Sequence, residues 1–147
     1  MECCPECGTD WSGGQTCTDH FHTLLAWEWE YQMPDVHHLL VLCYHLQHPS
    51  LYSPDGLRYS QGMLVQFVEE GIHPQQMRQR ISGEVDSGNR KFKIKGTPES
   101  QGTYAFPVQW TMTAADVVAA GPEQYYDSVR TWADGMLKAL RESGNLK

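Results

Sequence analysis

The chain has 147 residues, of which 40% are hydrophobic and 20% charged, and its net charge is −7. This size and composition predict a single globular domain over residues 1–147. The acidic charge argues against sequence-independent binding to nucleic acid or to anionic lipid. No apolar run approaches the roughly 18 residues of a membrane helix, and the start of the chain does not resemble a signal peptide. We therefore expect a cytoplasmic protein, in which clustered cysteines are more often metal ligands or redox groups than disulfides.

The N-terminal half is predicted to be a short knuckle followed by a helical hairpin. Residues 1–16 contain glycine, proline and serine at intervals that leave no room for regular structure. A helix is predicted over Thr16–Met33, where Pro34 interrupts it. A second helix is predicted over Asp35–Gln47, with the aspartate as its cap. That helix is apolar around most of its circumference, so we expect it at the centre of the fold.

The middle of the chain predicts two further helices and then a non-helical segment. Ser53 and Pro54 form a capping signal for a third helix, which is expected to end near Gly71. A short fourth helix is predicted over residues 74–81, and a turn-rich loop over residues 84–89. The alternating basic and apolar residues of 90–95 favour a short strand or an extended arm, and 103–110 is also predicted to be extended.

The C-terminal part predicts two helices, of which the second has the clearest apolar stripe. Thr113–Asp116 has capping-box character, and Gly121–Pro122 restarts the chain in a helix to about Ser143. The stripe is expected to pack on the second helix and consists of Tyr125, Val129, Trp132, Met136 and Leu140. The fold class is therefore mainly α: a helical bundle (residues 17–83 and 113–143), an N-terminal zinc knuckle (1–16) and a minor extended or β segment around residues 90–110, within the non-helical stretch 84–112.

The first seventeen residues contain a candidate metal-binding motif. Cys4 and Cys7 form a Cys-x-x-Cys turn with Pro5 between them and Gly8 after it, the arrangement from which two thiolates reach one zinc ion. A redox role is the alternative, but no strand precedes the motif and no helix follows it at once. Cys17, at the start of the first helix, is the natural third ligand, while Cys3 is either spare or a competing ligand for Cys4.

The fourth ligand is predicted from the geometry of the helical hairpin. At about 1.5 Å per residue, Cys17 lies about 24 Å from the turn and His48 about 21 Å along the returning helix. His48 is thus the first choice, with His45 and His20 left open as substitutes. Four ligands of this kind, Cys4, Cys7, Cys17 and His48, would form a closed zinc site.

A second cluster is expected at the turn of the hairpin. His37 is within reach of Glu28 or Glu30, either in a hydrogen bond that fixes the hairpin or in a second metal or proton-transfer site; we favour the hydrogen bond. Cys43 is expected to be a small buried hydrophobic residue. The remaining histidines are expected at the surface: His22, His38 and His73.

These motifs resemble a family of uncharacterised bacterial domains. Its members are similar in an N-terminal Cys-Pro-x-Cys-Gly, a later cysteine and a helix that ends in Tyr-x-x-Gln-His-Pro. The C-terminal half is similar through 113–117 and 126–133. Leu42 stands where members often carry Asp, so a site near His37 that uses such an Asp is absent or altered here. The resemblance implies no established activity. The matching positions are Cys4, Cys7, Cys17, His37, Tyr44, Gln47, His48 and Pro49.

The pattern of cysteines and histidines is compatible with two main functions. Three cysteines and a histidine form a closed set, which favours structural zinc in a small domain that binds a protein or a small molecule. The alternative is a zinc-dependent hydrolase or transferase with an open site near His37, Glu28 and Glu30, or near His45 and His48. A nucleic-acid-binding zinc domain is disfavoured by the acidic charge. No catalytic residue is assigned.

Overall fold

The computed structural model describes residues 3–73, 75, 76, 79 and 94–147, and within these ranges it is mainly helical, with isolated β-bridges and no sheet. The predicted mainly α class is confirmed. Of the predicted helix 74–81, residues 75, 76 and 79 are described and all three are helical, and the other residues lie outside the described ranges, as do the loop 84–89 and most of the basic stretch 90–95. The α-helices are α1 (Cys17–Glu30), α2 (His37–Leu46), α3 (Pro54–Glu69), α4 (Ala114–Ala120) and α5 (Tyr125–Glu142), with 3-10 turns at Pro34–Val36, Pro49–Leu51 and Pro122–Gln124.

Local signals in the sequence set where three of these helices begin. Thr16 precedes α1, and its hydroxyl accepts a hydrogen bond from the Asp19 amide while the Asp19 carboxylate accepts one from the Thr16 amide. Ser53 caps α3 by accepting from the amide of Gly56 at 2.9 Å. At α4, the predicted capping box is confirmed because Asp116 accepts from the amide of Thr113 at 2.9 Å.

The connection between α1 and α2 differs from the prediction. Helix α1 ends at Glu30 rather than Met33, and α2 begins at His37 rather than Asp35. Pro34 opens a single 3-10 turn that contains Asp35, so the carboxylate is inside this turn and α2 has no side-chain cap. The predicted capping role of Asp35 is therefore wrong, because the proline initiates its own turn one residue earlier.

The core lies where α5 packs on α2, α3 and α4, and α1 packs mainly on α4. All five residues of the predicted α5 stripe are at most 1% exposed, and Trp132 is completely buried. The prediction that α5 packs on the central helix α2 is confirmed. No helix among the described residues is long and apolar enough to cross a membrane.

An irregular strap, residues 94–102, runs beside the chain that joins α2 to α3. The amide of Ser53 donates to the carbonyl of Ile94 at 2.9 Å, and Gly102 donates to Tyr52 at 2.7 Å. A Cβ atom at Gly96 would lie 2.6 Å from two backbone oxygens, so only glycine permits this approach. After the strap, residues 103–110 form neither helix nor strand.

Candidate metal centre

Four buried side chains converge where the N-terminal knuckle meets α1 and the end of α2. The ligand atoms of Cys4, Cys7, Cys17 and His48 all lie within 4.8 Å of one another. The sulfurs of Cys7 and Cys17 are 3.3 Å apart. The structure thus brings together the four residues that the sequence put forward as ligands, and within the described ranges no other such group of three or more is found.

The knuckle has the backbone geometry of a thiolate-binding turn. The amides of Glu6 and Cys7 each lie 3.4 Å from the sulfur of Cys4. Gly8 adopts φ +81 and donates to the carbonyl of Cys4 at 3.0 Å. Since amide hydrogens directed at sulfur stabilise negative charge there, this turn favours the thiolate form that binds a metal.

Burial disfavours a bare thiolate in this cluster. It raises the pKa of the Cys7 thiol, and the adjacent Cys17 acts in the same direction. Cys17 is the first residue of α1 and is itself buried. A divalent metal ion would supply the positive charge that several buried thiolates require.

His48 is held in the form and orientation that a metal requires. Its Nδ1 lies 2.7 Å from the carbonyl of Tyr44, and because a carbonyl only accepts, Nδ1 carries the proton and Nε2 the lone pair. That Nε2 is buried and has no hydrogen-bond partner in the described part of the chain. Burial also lowers the pKa of His48, which favours the neutral ring. An unpaired buried acceptor beside three thiols fits a metal ligand, because the ion would satisfy it.

The Tyr-x-x-Gln-His-Pro sequence at the end of α2 supports this histidine. The ring of Tyr44 packs on that of His48, with centroids 4.3 Å apart, and on Phe21 of α1 at 4.2 Å. The side-chain amide of Gln47 donates through Nε2 to the backbone carbonyl of Met112 at 2.6 Å. These contacts fix the position of the imidazole relative to α1 and the C-terminal half.

Glu6, between the two knuckle cysteines, is a supporting residue that the sequence did not reveal. Its carboxylate accepts from the amide of Ser50 at 3.1 Å and from the Ser50 hydroxyl at 2.9 Å. The knuckle is therefore attached to the end of α2 by hydrogen bonds as well as by the cluster. The Glu6–Ser50 pairing spans 44 residues. The position of Glu6 inside the Cys-x-x-Cys turn is the signal in the sequence that could have indicated it.

The alternative ligands lie outside the cluster. His45 is half-buried on another side of α2, where burial lowers its pKa to about 4, with His48 and Lys95 acting in the same direction. His20 is half-buried, and Cys3 is exposed. Cys43 is completely buried in the core, as predicted.

At the opposite end of the hairpin, a histidine and a carboxylate form the predicted pair. His37 Nδ1 donates to Glu28 Oε1 at 2.8 Å, and Glu28 is only 7% exposed. The hydroxyl of Tyr125 donates to the other carboxylate oxygen, a partner that the sequence did not suggest. Glu30 is exposed. A surface cleft of about 1090 Å³ lies beside the pair, with Trp29 on its wall.

The fold and the cluster define a class of protein: a helical domain with a buried Cys₃His group that can hold a metal ion. The chain belongs to a family of unknown function, DUF5946, whose family model matches residues 2–141. The resemblance drawn from the sequence to an uncharacterised family is thereby confirmed. No curated protein and no solved structure matches the chain significantly.

Proposed function

We propose that this protein is a metal-stabilised binding domain, in which one zinc ion ties the N-terminal knuckle to the helical core. The observation that carries the proposal is the unpaired, buried Nε2 of His48 beside three cysteine sulfurs. The ion would be held by Cys4, Cys7, Cys17 and His48. Its chemistry there would be structural: it would neutralise the buried thiolates and link two parts of the chain.

The donor set favours zinc over other metals. Thiolates are soft ligands that select zinc, copper(I) or iron–sulfur clusters, and imidazole suits zinc as well. Three sulfurs and one nitrogen from the protein form a closed set of four, which is typical of structural zinc rather than catalytic zinc. No disulfide joins any of the five cysteines, all of which are described, and this supports a cytoplasmic location.

The proposed role of the ion follows from how little else holds the knuckle. Within residues 3–16 only Cys4, Cys7 and Thr9 are buried. A segment with so small a core gains most of its stability from the metal it binds. The zinc would therefore contribute folding free energy and leave the helical surfaces available for a protein or small-molecule partner.

The test is a pair of histidine variants at the two ends of the hairpin. Metal content of the purified protein, measured by elemental analysis, should be about one zinc per chain. His48→Ala should lower both zinc affinity and melting temperature. His37→Ala, the matched control, should leave zinc affinity nearly unchanged, because that ring is engaged with Glu28. Absence of stoichiometric metal, or loss of metal in His37→Ala alone, would contradict the proposal.

The alternative function is a zinc-dependent hydrolase or transferase. The observation that favours it is the buried Glu28, held between His37 and Tyr125 beside a large cleft. Against it, the described residues bring no third metal ligand to this pair. An assay against ester and phosphoester substrates, together with metal analysis, would decide: activity and a second metal ion that are both lost in His37→Ala would favour the enzyme.

A further inference from the structure

A cavity of about 460 Å³ lies between α2 and α3, away from the metal centre. Most of its wall is apolar, with Val41 and Leu42 from α2, Met63 from α3, and Leu51 and Ile94 from the chain beside them. Ligand pockets in proteins usually have volumes of about 300–1,000 Å³ and mainly hydrophobic walls. In size and lining this cavity therefore suits a small organic molecule.

The described lining of the cavity contains a lysine and no acidic residue. The chain carries 18 acidic residues and a net charge of −7. Yet none of the described residues that line this cavity is an aspartate or a glutamate. Its wall instead contains Lys95 and three histidines, His37, His38 and His45. In a protein of this charge, such a wall favours an anion over a cation.

The backbone of Lys95, a lining residue of the cavity, is held in place by its neighbours. Lys95 is exposed and forms a β-bridge with Tyr52, and the neighbouring Gly96 donates to Leu51 at 3.0 Å. Tyr52 itself is buried and hydrogen-bonds Ser60 of α3. The backbone that carries the Lys95 side chain is therefore held against the chain that joins α2 to α3, which also contributes Leu51 and Tyr52 to the cavity wall.

We propose that this cavity binds an amphipathic monocarboxylate, with its apolar chain against Val41, Leu42 and Met63 and its carboxylate near Lys95 and His45. The inference rests on the binding role proposed above, for which it names the site and the ligand class. It uses none of the four candidate metal ligands.

A single carboxylate matches the wall better than a phosphate does. Phosphate sites usually combine arginine forks, several lysines or the amides at a helix N-terminus. The described lining residues include one lysine and no arginine, and the neutral ring of a histidine such as His45 can donate only one hydrogen bond. These groups can pair with a single negative charge, and the apolar wall can contact a long apolar chain attached to it.

The experiment is calorimetric titration of the full-length, metal-loaded protein with decanoate, and with 1-decanol as the uncharged probe. We expect saturable 1:1 binding of decanoate and weaker binding of the alcohol. Lys95→Glu should weaken decanoate binding about tenfold, equivalent to about 1.4 kcal/mol, and leave the alcohol unaffected. Lys138→Glu, the same exchange on the exposed face of α5, is the matched control and should change neither.

A cavity-filling variant keeps the test independent of charge. Val41→Trp should block both probes, while metal content and helical circular dichroism show that the protein remains folded. A folded, zinc-loaded protein that binds no decanoate, or binds it equally well as Lys95→Glu, would overturn this inference and leave the metal proposal standing. Protein that contains no metal yet binds decanoate would overturn the metal proposal alone.

Discussion

The two ends of the α1–α2 hairpin each carry a histidine beside a buried polar group, but they differ in what satisfies it. At the turn, both oxygens of Glu28 have donors, from His37 and Tyr125. At the other end, His48 has a partner for Nδ1, and its buried Nε2 has none among the described residues. The protein itself satisfies both oxygens of Glu28, whereas the second cluster offers a free donor atom that could bind an ion.

This difference separates a structural hydrogen bond from a metal centre. A buried polar atom without a partner costs about 1–3 kcal/mol, so a stable fold rarely leaves one unsatisfied. Together with the nitrogen, the three nearby thiols form a donor set that could hold a soft or borderline metal ion. Variants at each end should therefore alter different properties of the protein.

The largest effect should come from loss of a proposed metal ligand. Cys17→Ala should abolish stoichiometric zinc binding and lower the melting temperature by about 10 °C, which corresponds to a few kcal/mol for a domain of this size. Cys3→Ala removes an exposed thiol of the same type and should alter neither. Equal metal content in the two variants would show that Cys17 is not a metal ligand.

Trp132→Ala should destabilise the protein strongly without affecting either end. The side chain is completely buried, so its removal should cost about 3–5 kcal/mol of unfolding free energy. Metal content should remain that of the wild type, which separates damage to the core from loss of the ion. Trp29→Ala is the control, since that ring is 87% exposed. A near-neutral denaturant midpoint for Trp132→Ala would contradict its place in the core.

Tyr125→Phe tests the end at the turn. It leaves one oxygen of the buried Glu28 without its donor, which should cost about 1–3 kcal/mol in chemical denaturation. Zinc affinity should not change, because the hydroxyl belongs to the opposite end of the hairpin. Tyr126→Phe removes the hydroxyl of the neighbouring, half-buried tyrosine and should have little effect. A change in metal content would show that the two ends are coupled.

The smallest effect is expected for Glu6→Ala, which tests how far the hydrogen bonds of the knuckle support the candidate metal centre. It removes the hydrogen bonds to Ser50 that attach the knuckle beside His48, at a cost of about 0.5–1.5 kcal/mol. Zinc should still bind, but with modestly lower affinity in a competition titration with a chelator. Glu142→Ala, at an exposed site on α5, is the control. Complete loss of metal in Glu6→Ala would mean that Glu6 is itself a ligand.

Several parts of the fold could be read from neighbouring residues alone. The caps at Thr16, Ser53 and Thr113 use side chains within three residues of the amides they bind, so short motifs predict them well. The α5 stripe was equally clear, because its 3.6-residue period has to face a core. The failure at Asp35 has a local cause too, since a proline turn and a helix cap compete for the same residues.

The sequence by itself determined the chemistry available at the candidate metal centre: three cysteines at the N-terminus and histidines around the end of α2. It ranked His48 first but left His45 and His20 open, because the choice depends on the rotation of α2 about its axis. The tertiary structure decided the choice: of these three histidines, His48 is the one that lies in the cluster. Contacts such as Glu6 with Ser50, and Tyr125 with Glu28, join residues 44 and 97 positions apart. Such pairings arise from helix packing, which depends on the whole core and leaves no local pattern in the chain.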